Sequence, residues 1–312
     1  MRPIFLLVVF FLAQSVHSMY LERLVQSKKI EVERLLRQHQ SPDDNLVMRM
    51  SYLASESKFN LTKSLKLTGD KDDLHMMSVL VDMKRRSPTI PSQRNVVEFT
   101  SAAKFAELLA LANVDAFLVN TDEMEYGGRA SDLGDTSRVM RSLKGRKHPP
   151  AVIHKDIIIH PIQIAQALEE GASGVLLIAS IVGGDLEVLL DACTIMGTEA
   201  MVEVHTPNEV EFALNKGATI FLVNMWDRVS NKLFEEQAKG VASMLPVNSL
   251  ALAAGNIHSM EQVAELGFYG YDGVVLGRGI NQLPDIKEFV DDVHSFRGAP
   301  RGMGLGMKGM LF

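Results

Sequence analysis

Two lysines follow short apolar runs of β type, and their positions suggest proton-transfer chemistry on an anion. Lys84 comes two residues after Asp82 at the end of the first run, Lys155 follows the third run, and Glu203 lies within the fifth. In a parallel α/β protein the carboxyl ends of the strands meet at one face, where ligands bind. We therefore predict that these side chains converge on a pocket for a negatively charged substrate.

Several candidate side chains also have an ordinary structural explanation. A lysine at a strand end can be a solvated loop charge, and Asn224, after the sixth run, can be a turn-forming residue. Glu203 is harder to explain in this way, because burying a carboxylate without a partner is costly.

The elements that must position these residues are short apolar runs alternating with longer amphipathic segments, a pattern typical of parallel α/β folds. The predicted strands are Val79–Met83, Ala116–Val119, Ala151–Ile153, Val175–Ile178, Ala200–Val204, Ile220–Val223, Leu250–Ala253 and Gly273–Leu276. The predicted helices include Phe105–Ala112, Pro161–Glu169, Leu186–Ile195, Asn208–Leu214, Lys232–Ala242, Met260–Leu266 and Ile286–Phe296. Eight units favour a (β/α)₈ TIM barrel. A doubly wound open sheet is the alternative, although it usually has fewer strands.

The sequence divides into four segments. Residues 1–18 have the features of a signal peptide, residues 19–77 form an N-terminal helical extension that includes a helix from Tyr20 to Arg37, and residues 78–296 form the barrel. Residues 297–312 are rich in Gly and Met, and we predict a disordered tail there.

The composition excludes several classes of protein. A chain of 312 residues, 46% of them hydrophobic, can form one large barrel, and its formal charge of −6 argues against a nucleic-acid partner. The single cysteine, Cys193, allows neither an intrachain disulfide nor a CxxC site, and we expect it in the core. His154, His160 and His205 lack the short spacing of metal ligands, so no metal and no cofactor are predicted.

Several motifs, in order along the chain, resemble those of the indole-3-glycerol phosphate synthase family. The resemblance spans about Leu21 to Phe289. The matching segments are Lys28-Lys29-Ile30-Glu31-Val32, Asp82-Met83-Lys84 with Ser87-Pro88, His154-Lys155-Asp156-Ile157-Ile158, Gln163-Ile164, Leu176-Leu177-Ile178-Ala179, Val202-Glu203-Val204-His205 and Leu276-Gly277. Each motif alone is weak, and their order and spacing make the resemblance specific.

The resemblance implies a carboxy-lyase of tryptophan biosynthesis that acts on a phosphorylated small molecule. Such an enzyme closes the indole ring of 1-(2-carboxyphenylamino)-1-deoxyribulose 5-phosphate with loss of carbon dioxide and water. By resemblance Lys155 is the acid that protonates the carbonyl oxygen, and Lys84 pairs with the substrate carboxylate. Glu203 stabilises a cationic intermediate or takes a proton, and Ser87 and Asn224 bind the substrate.

Backbone amides near the ends of the last two strands are expected to bind the phosphate, as in other barrels. Gly255, Gly277 and Gly279 permit close approach of the backbone, and Arg278 supplies a guanidinium that suits phosphate geometry. A surface arginine is the ordinary alternative for Arg278.

The departures from the family pattern cluster at the same site. Asp82 replaces a glutamate and is about 1.5 Å shorter, while Trp226 occupies an arginine position and can line or plug the pocket. Ala254 and Asn256 stand where the family has glutamate and glycine. These changes leave open an alternative, a catalytically lapsed phosphate-binding barrel that acts as a binding or assembly component with a protein partner.

The N-terminal segment predicts entry into the secretory pathway. Arg2 precedes an apolar run from Ile4 to Ala13, and Ser18 is a small residue at a plausible cleavage point. The run is short for a bilayer, so a cleaved signal is favoured over an anchor and no stable membrane span is expected after its removal. A plastid reached through the endoplasmic reticulum would reconcile this route with tryptophan biosynthesis.

Overall fold

The computed structural model of the protein describes residues 22–52, 54, 61–65, 75–87, 97–144, 149–227 and 232–301. Its centre is a closed barrel of eight parallel strands, in which the last strand pairs with the first. In chain order the strands are β1 Ser78–Met83, β2 Ala116–Asn120, β3 Ala151–Lys155, β4 Gly174–Ile178, β5 Glu199–Val204, β6 Ile220–Asn224, β7 Leu250–Ala254 and β8 Gly273–Leu276. The predicted TIM barrel is confirmed, and all eight predicted runs are barrel strands.

Helices precede the barrel and alternate with its strands. The helices are α1 at 22–38, α2 Asn45–Ser51, α3 Leu61–Leu65, α4 Ala102–Leu111, α5 Ala130–Ser142, α6 Pro161–Glu169, α7 Ala179–Val182, α8 Leu186–Ile195, α9 Pro207–Asn215, α10 Gln237–Val241, α11 Met260–Phe268 and α12 Ile286–Ser295. Short 3₁₀ helices lie at Gly183–Asp185, Ala242–Met244 and Arg278–Gln282. Several helices begin where a side chain accepts a hydrogen bond from an otherwise unpaired amide, as Thr206 and Ser259 do.

The barrel interior is filled by every second side chain of its strands. Leu80, Leu118, Ile153 and Met201 belong to one fully buried inner cluster. The alternate side chains, such as Val79, point outward and pack under the helices. Because side chains alternate along a strand, residues two positions beyond these apolar layers also point inward, at the carboxyl ends of the strands.

The N-terminal helices contact both ends of the barrel. On the carboxyl-terminal side, Leu24 of α1 packs with Ile157 and Ile178. On the amino-terminal side, Leu61 and Leu65 of α3 join the inner cluster and close that end. The α2 helix packs on α6.

Two local predictions are wrong. The predicted helix Lys232–Ala242 begins instead as a short strand, Lys232–Leu233, which pairs antiparallel with Trp226–Asp227, and only Gln237–Val241 is α-helical. The predicted disordered tail starts too early, because Arg297–Gly298 pairs with His75–Met76 and Arg301 is buried.

Some predictions lie outside the described residues. These are the signal-like segment 1–18 and residues 302–312 of the tail. Within the part of the chain that the structure describes, no helix combines the length and apolar character needed to cross a membrane.

Candidate active site

The strand register brings the predicted catalytic side chains to one layer at the carboxyl ends of the barrel. Asp82 and Lys155 lie two residues beyond the inward-facing Leu80 and Ile153, and Asn120 pairs across the ladder with Lys155. Glu203 lies two residues beyond Met201 in the same way. The barrel geometry therefore converts scattered sequence positions into one cluster.

Asp82 lies at the centre of a buried ion cluster. Its Oδ2 atom is 2.6 Å from Lys84 Nζ and 3.0 Å from Lys155 Nζ, and its Oδ1 accepts a 3.0 Å hydrogen bond from Asn120 Nδ2. The Asp82 and Lys155 side chains are each 6% exposed, and that of Lys84 is 16% exposed. The two lysines thus converge, as predicted, and both pair with the carboxylate of Asp82, which the sequence did not predict.

The charge balance of this cluster keeps Asp82 ionised. Burial raises the pKa of the carboxyl, but the ammonium groups of Lys155 and Lys84 outweigh it and lower that pKa to about 2. The cluster carries one negative and two positive charges, so it attracts an additional anion.

Glu203 lies deeper than the pocket surface and is fully buried. Its Oε1 atom accepts a 3.2 Å hydrogen bond from Asn224 Nδ2 and lies 3.2 Å from His205 Nε2. Asn224 lines the pocket, so Glu203 is one hydrogen bond away from the ligand space.

Asn224 forms the turn that was considered for it and also lines the pocket. Its Oδ1 accepts a 3.0 Å hydrogen bond from the Trp226 backbone N–H, which fixes the turn after β6. Its Nδ2 donates a hydrogen bond to Glu203, so Asn224 also connects the buried Glu203 to the pocket.

Trp226 and Arg278 also line the pocket, after β6 and β8. The guanidinium carbon of Arg278 lies 4.4 Å from the centre of the Trp226 ring, a cation–π contact between two partly buried side chains. Burial lowers the pKa of Arg278 from its ordinary value. Trp226 therefore lines the pocket and holds a cation beside it.

The predicted glycines have different functions. A Cβ at Gly279 would lie 1.9 Å from the Ile257 carbonyl oxygen, and Gly255 combines a φ of +122° with a close approach to Met225, so both are required by packing between loops. Among the described residues, a Cβ at Gly277 would meet only Asp82 and Lys84, each at 3.9 Å. Gly277 is therefore the glycine that opens backbone to the ligand space.

The residue after Gly255 is in the left-handed region. Asn256 has a φ of +55°, and asparagine tolerates this conformation better than most residues. Its carbonyl accepts a 2.7 Å hydrogen bond from His258 Nδ1. The turn can therefore form although Asn256 replaces a family glycine.

The pocket at this face is small. Its lining contains the predicted residues Asp82, Lys84, Ser87, Lys155, Asn224, Gly255, Gly277 and Arg278, together with Tyr126, Leu222, Trp226, Ala254, Asn256 and Val275. Its volume of about 70 Å³ is well below the few hundred Å³ of usual ligand sites. A sugar phosphate therefore requires side chains at the wall to move.

Sequence reasoning missed several residues that support the site. Asn120 holds Asp82, and its position as the polar end of an apolar run was the available signal. Tyr126 lines the pocket from the loop after β2, and no pattern pointed to it.

A second buried ion cluster joins α1 to the barrel. Lys28 Nζ lies 2.7 Å from Asp156 Oδ1 and 3.3 Å from Asp122 Oδ2. Burial acts to lower the pKa of Lys28, but Asp156 chiefly reverses this and raises it. Asp156 directly follows Lys155, so α1 is fixed beside the site.

Among the described residues no group of three or more His, Cys, Asp or Glu side chains could hold a metal ion.

A closed parallel barrel with a carboxylate–lysine cluster and an anion-attracting pocket at its carboxyl-terminal face is the arrangement of a (β/α)₈-barrel enzyme. The chain belongs to the indole-3-glycerol phosphate synthase family, whose family model matches residues 21–293.

Individual relatives agree with this assignment. The indole-3-glycerol phosphate synthase of Opitutus terrae is 29% identical over 67% of this chain and 77% of its own length. That of Roseiflexus sp. is 28% identical over 88% and 97%. Among solved structures, 3-hexulose-6-phosphate synthase from Salmonella typhimurium has a TM-score of 0.52 at 13% identity, covering 70% of this chain and 97% of its own, a likeness of fold alone.

Proposed function

We propose that this protein is a decarboxylating carbon–carbon lyase that forms indole-3-glycerol phosphate from 1-(2-carboxyphenylamino)-1-deoxyribulose 5-phosphate. The observation that carries the proposal is the Lys84–Asp82–Lys155 cluster at the pocket of a family member. The substrate has a carboxylate and a phosphate, and the cluster has an excess of positive charge to receive them.

The ring closure needs an acid at the carbonyl oxygen. As the aryl carbon attacks the carbonyl carbon, the oxygen takes a proton, and Lys155 is the buried ammonium that supplies it. Loss of carbon dioxide then restores the aromatic ring. Lys84, which is more exposed than Lys155, pairs with the substrate carboxylate before it leaves.

The remaining step is loss of water. The hydroxyl formed at the former carbonyl carbon leaves with one proton, and carbon 1 of the chain loses another. One carboxyl group can give the first and take the second, so this step is proton-neutral. Glu203 serves this purpose once the substrate displaces the Asn224 amide from it.

The phosphate is proposed to bind at the ends of β7 and β8. Gly277 opens its backbone to the pocket, Arg278 adds a cation, and the 3₁₀ helix Arg278–Gln282 begins there. Ser87, in the loop after β1, is buried and lines the pocket, where its hydroxyl can bind substrate oxygens.

The test is turnover of the synthetic substrate by the purified protein. Indole fluorescence should rise with the wild-type chain and disappear with Lys155→Ala. Lys216→Ala, which removes a lysine that pairs with Glu187 on the surface, is the matched control and should behave as wild type. Absence of turnover above the blank in the wild type would reject the proposal.

A second candidate function is a lapsed barrel that binds a phosphate ligand or a protein partner. The pocket volume of about 70 Å³ and the Trp226–Arg278 wall favour it. It predicts inorganic phosphate binding without turnover.

We further propose that the chain enters the secretory pathway through a cleavable segment at residues 1–18, and that a plastid is the destination of this route. The support is the charged start and the apolar run of that segment. Fusion of residues 1–21 to a fluorescent protein should direct it to the endoplasmic reticulum, and a diffuse cytosolic signal would contradict this.

A further inference from the structure

We propose that Lys28, in the helix α1 that precedes the barrel, is a positioning residue for Lys155. Its ammonium group acts through Asp156 and Thr121, which directly follow β3 and β2. The effect on turnover rests on the proposed function, whereas the attachment of the strand ends can be measured in the protein without substrate.

The end of β3 presents its two faces to two different ion clusters. Because side chains alternate along a strand, Lys155 points into the barrel and its neighbours His154 and Asp156 point outward. Lys155 pairs with Asp82 on the inside, and Asp156 pairs with Lys28 on the outside. The group on the outside, which we call the outer cluster, consists of Lys28, Thr121, Asp122, His154 and Asp156. The two clusters therefore share one stretch of backbone.

Lys28 bridges the loops that follow β2 and β3. Its Nζ atom lies 2.7 Å from Asp156 Oδ1, after β3, and 3.3 Å from Asp122 Oδ2, in the loop after β2. The side chains of Lys28, Asp156 and Asp122 are 7%, 7% and 4% exposed, so water contributes little to their solvation. Two buried carboxylates require a compensating cation, and the ammonium group of Lys28 supplies it to both loops.

Asp156 transmits this restraint to the backbone. Its Oδ2 accepts a 2.5 Å hydrogen bond from the Thr121 hydroxyl, and its Oδ1 accepts a 2.6 Å hydrogen bond from the Ile157 N–H. The Thr121 N–H donates a 3.2 Å hydrogen bond to the carbonyl of Lys155. Thr121 therefore holds Lys155 with its amide and Asp156 with its hydroxyl.

The hydrogen bonds of the outer cluster have one direction. Burial acts to raise the pKa of Asp156, but Lys28 chiefly outweighs this and lowers it, so Asp156 is an ionised acceptor. The Thr121 hydroxyl donates to it and must accept at its 2.8 Å contact with His154 Nε2. His154 is therefore neutral with its proton on Nε2, which agrees with a buried Nδ1 that lacks a hydrogen-bond partner among the described residues. The proton positions of the cluster are thus fixed by the charge of Lys28.

The restraint reaches the pocket through two side chains that point inward. Asn120 and Lys155 lie opposite each other in the ladder, and each has its side-chain nitrogen 3.0 Å from a carboxylate oxygen of Asp82. A displacement of about 1 Å at a reacting group can cost about 100-fold in rate. Lys28 itself is not one of the described residues that line the pocket, so its loss should change the rate more than substrate binding.

The first experiment measures the attachment in the full chain without ligand. Lys28→Met keeps nearly the length of the side chain and removes its charge. Hydrogen exchange of the Thr121 and Ile157 amides, followed by NMR, should accelerate about 10-fold more than exchange of the β7 amides at Leu250–Ala254. Equal acceleration at both places would mean that only overall stability is lost, and it would overturn the proposal, as would unchanged exchange.

The second experiment measures catalysis. In Lys28→Met kcat should fall about 30-fold while KM stays within about 3-fold. Lys29→Met changes the next residue of α1, which is exposed, and is the matched control that should behave as wild type. Lys28→Met combined with Asp156→Asn removes one uncompensated carboxylate. This double variant should recover melting temperature but not kcat, because α1 remains detached from the end of β3.

The outcomes separate this proposal from the proposed function. If the wild-type protein does not turn over the substrate, the proposed function fails, and amide exchange in Lys28→Met still supports or overturns the attachment. If the wild type is active and Lys28→Met keeps its kcat although the Thr121 amide exchanges faster, Lys28 does not position Lys155. Recovery of both melting temperature and kcat in the double variant would assign Lys28 to stability alone.

Discussion

The two sides of the pocket are built in different ways. On the side of β1 and β3, Asp82, Lys84 and Lys155 form a compact ion cluster with Asn120 behind it. On the side of β6 and β8, Trp226 and Arg278 form an aromatic–cation wall. The first we call the ion side and the second the aromatic side.

The comparison shows which parts of a barrel site tolerate change. The ion side is supplied chiefly by side chains within strands, whose positions follow from ladder register, so its geometry is set by the whole barrel. The aromatic side is supplied by residues just beyond strand ends. The departures from the family pattern at Trp226, Asn256 and Ala254, the last residue of β7, are all on this second side, whereas the ion side changes only at Asp82.

The largest expected difference between the two sides is in stability. Asp82→Asn removes a buried carboxylate and leaves two ammonium groups beside each other, so it should lower the free energy of unfolding by about 3–5 kcal/mol. Arg278→Gln removes a partly exposed cation–π contact and should lower it by about 1 kcal/mol or less. Urea denaturation of both variants measures the contrast.

A control for this contrast is Lys155→Met together with Asp82→Asn, which removes one of the two ammonium groups. The double variant should recover part of the lost stability, because less uncompensated charge remains buried. Equal losses of unfolding free energy for Asp82→Asn and Arg278→Gln would show that the ion side does not contribute more to stability than the aromatic side.

The second difference is in activity. Asp82→Glu restores the family residue and lengthens the side chain by about 1.5 Å, a displacement of the size that can change rates about 100-fold. If the shorter acid limits this enzyme, kcat/KM should rise by up to that factor. The matched change on the aromatic side, Trp226→Phe, keeps a ring and should change kcat/KM only slightly. A fall in Asp82→Glu would show that the lysines are already placed for the shorter acid.

The strands and helices could be predicted from the local pattern of apolar residues wherever their buried side chains are apolar. All eight strands follow from their apolar runs. Helix α5 was not predicted, because its buried face includes Asp132, Thr136 and Ser137, so apolar periodicity is weak there. The predicted tail was placed too early because Arg301 pairs with Asp272, far away in sequence, and composition carries no sign of such a pair.

The site was predictable in part. The convergence of Lys84 and Lys155 follows from strand ends meeting at one face. The burial of Glu203 behind Asn224, and the Trp226–Arg278 stack, depend on side-chain packing between different strands and loops. Position along a strand does not determine those contacts.

The third prediction concerns acid and separates the two sides by their pH dependence. The pKa of folded Asp82 is about 2, below the ordinary value of 3.8. The ionised form therefore stabilises the folded protein above about pH 4, and this contribution, roughly 2 kcal/mol, is lost as pH falls from 4 towards 2. Over this pH range the free energy of unfolding should fall by that amount both in the wild type and in Arg278→Gln. Asp82→Asn should lack this part of the slope, and an unchanged slope would contradict the assignment to Asp82.

The smallest expected effect tests the aromatic side directly. Arg278 contacts Trp226 and lies beside Gly277. Loss of its guanidinium should weaken binding of inorganic phosphate by about 10-fold, the effect expected from the loss of one charge-assisted hydrogen bond. Calorimetric titration of phosphate into Arg278→Gln measures this, with Arg138→Gln as the control, because Arg138 is exposed on α5. Trp226→Leu should give a smaller loss, because the arginine remains but is no longer oriented. If both variants bind phosphate as the wild type does, the anion is held on the ion side, and Trp226 and Arg278 serve only to narrow the pocket.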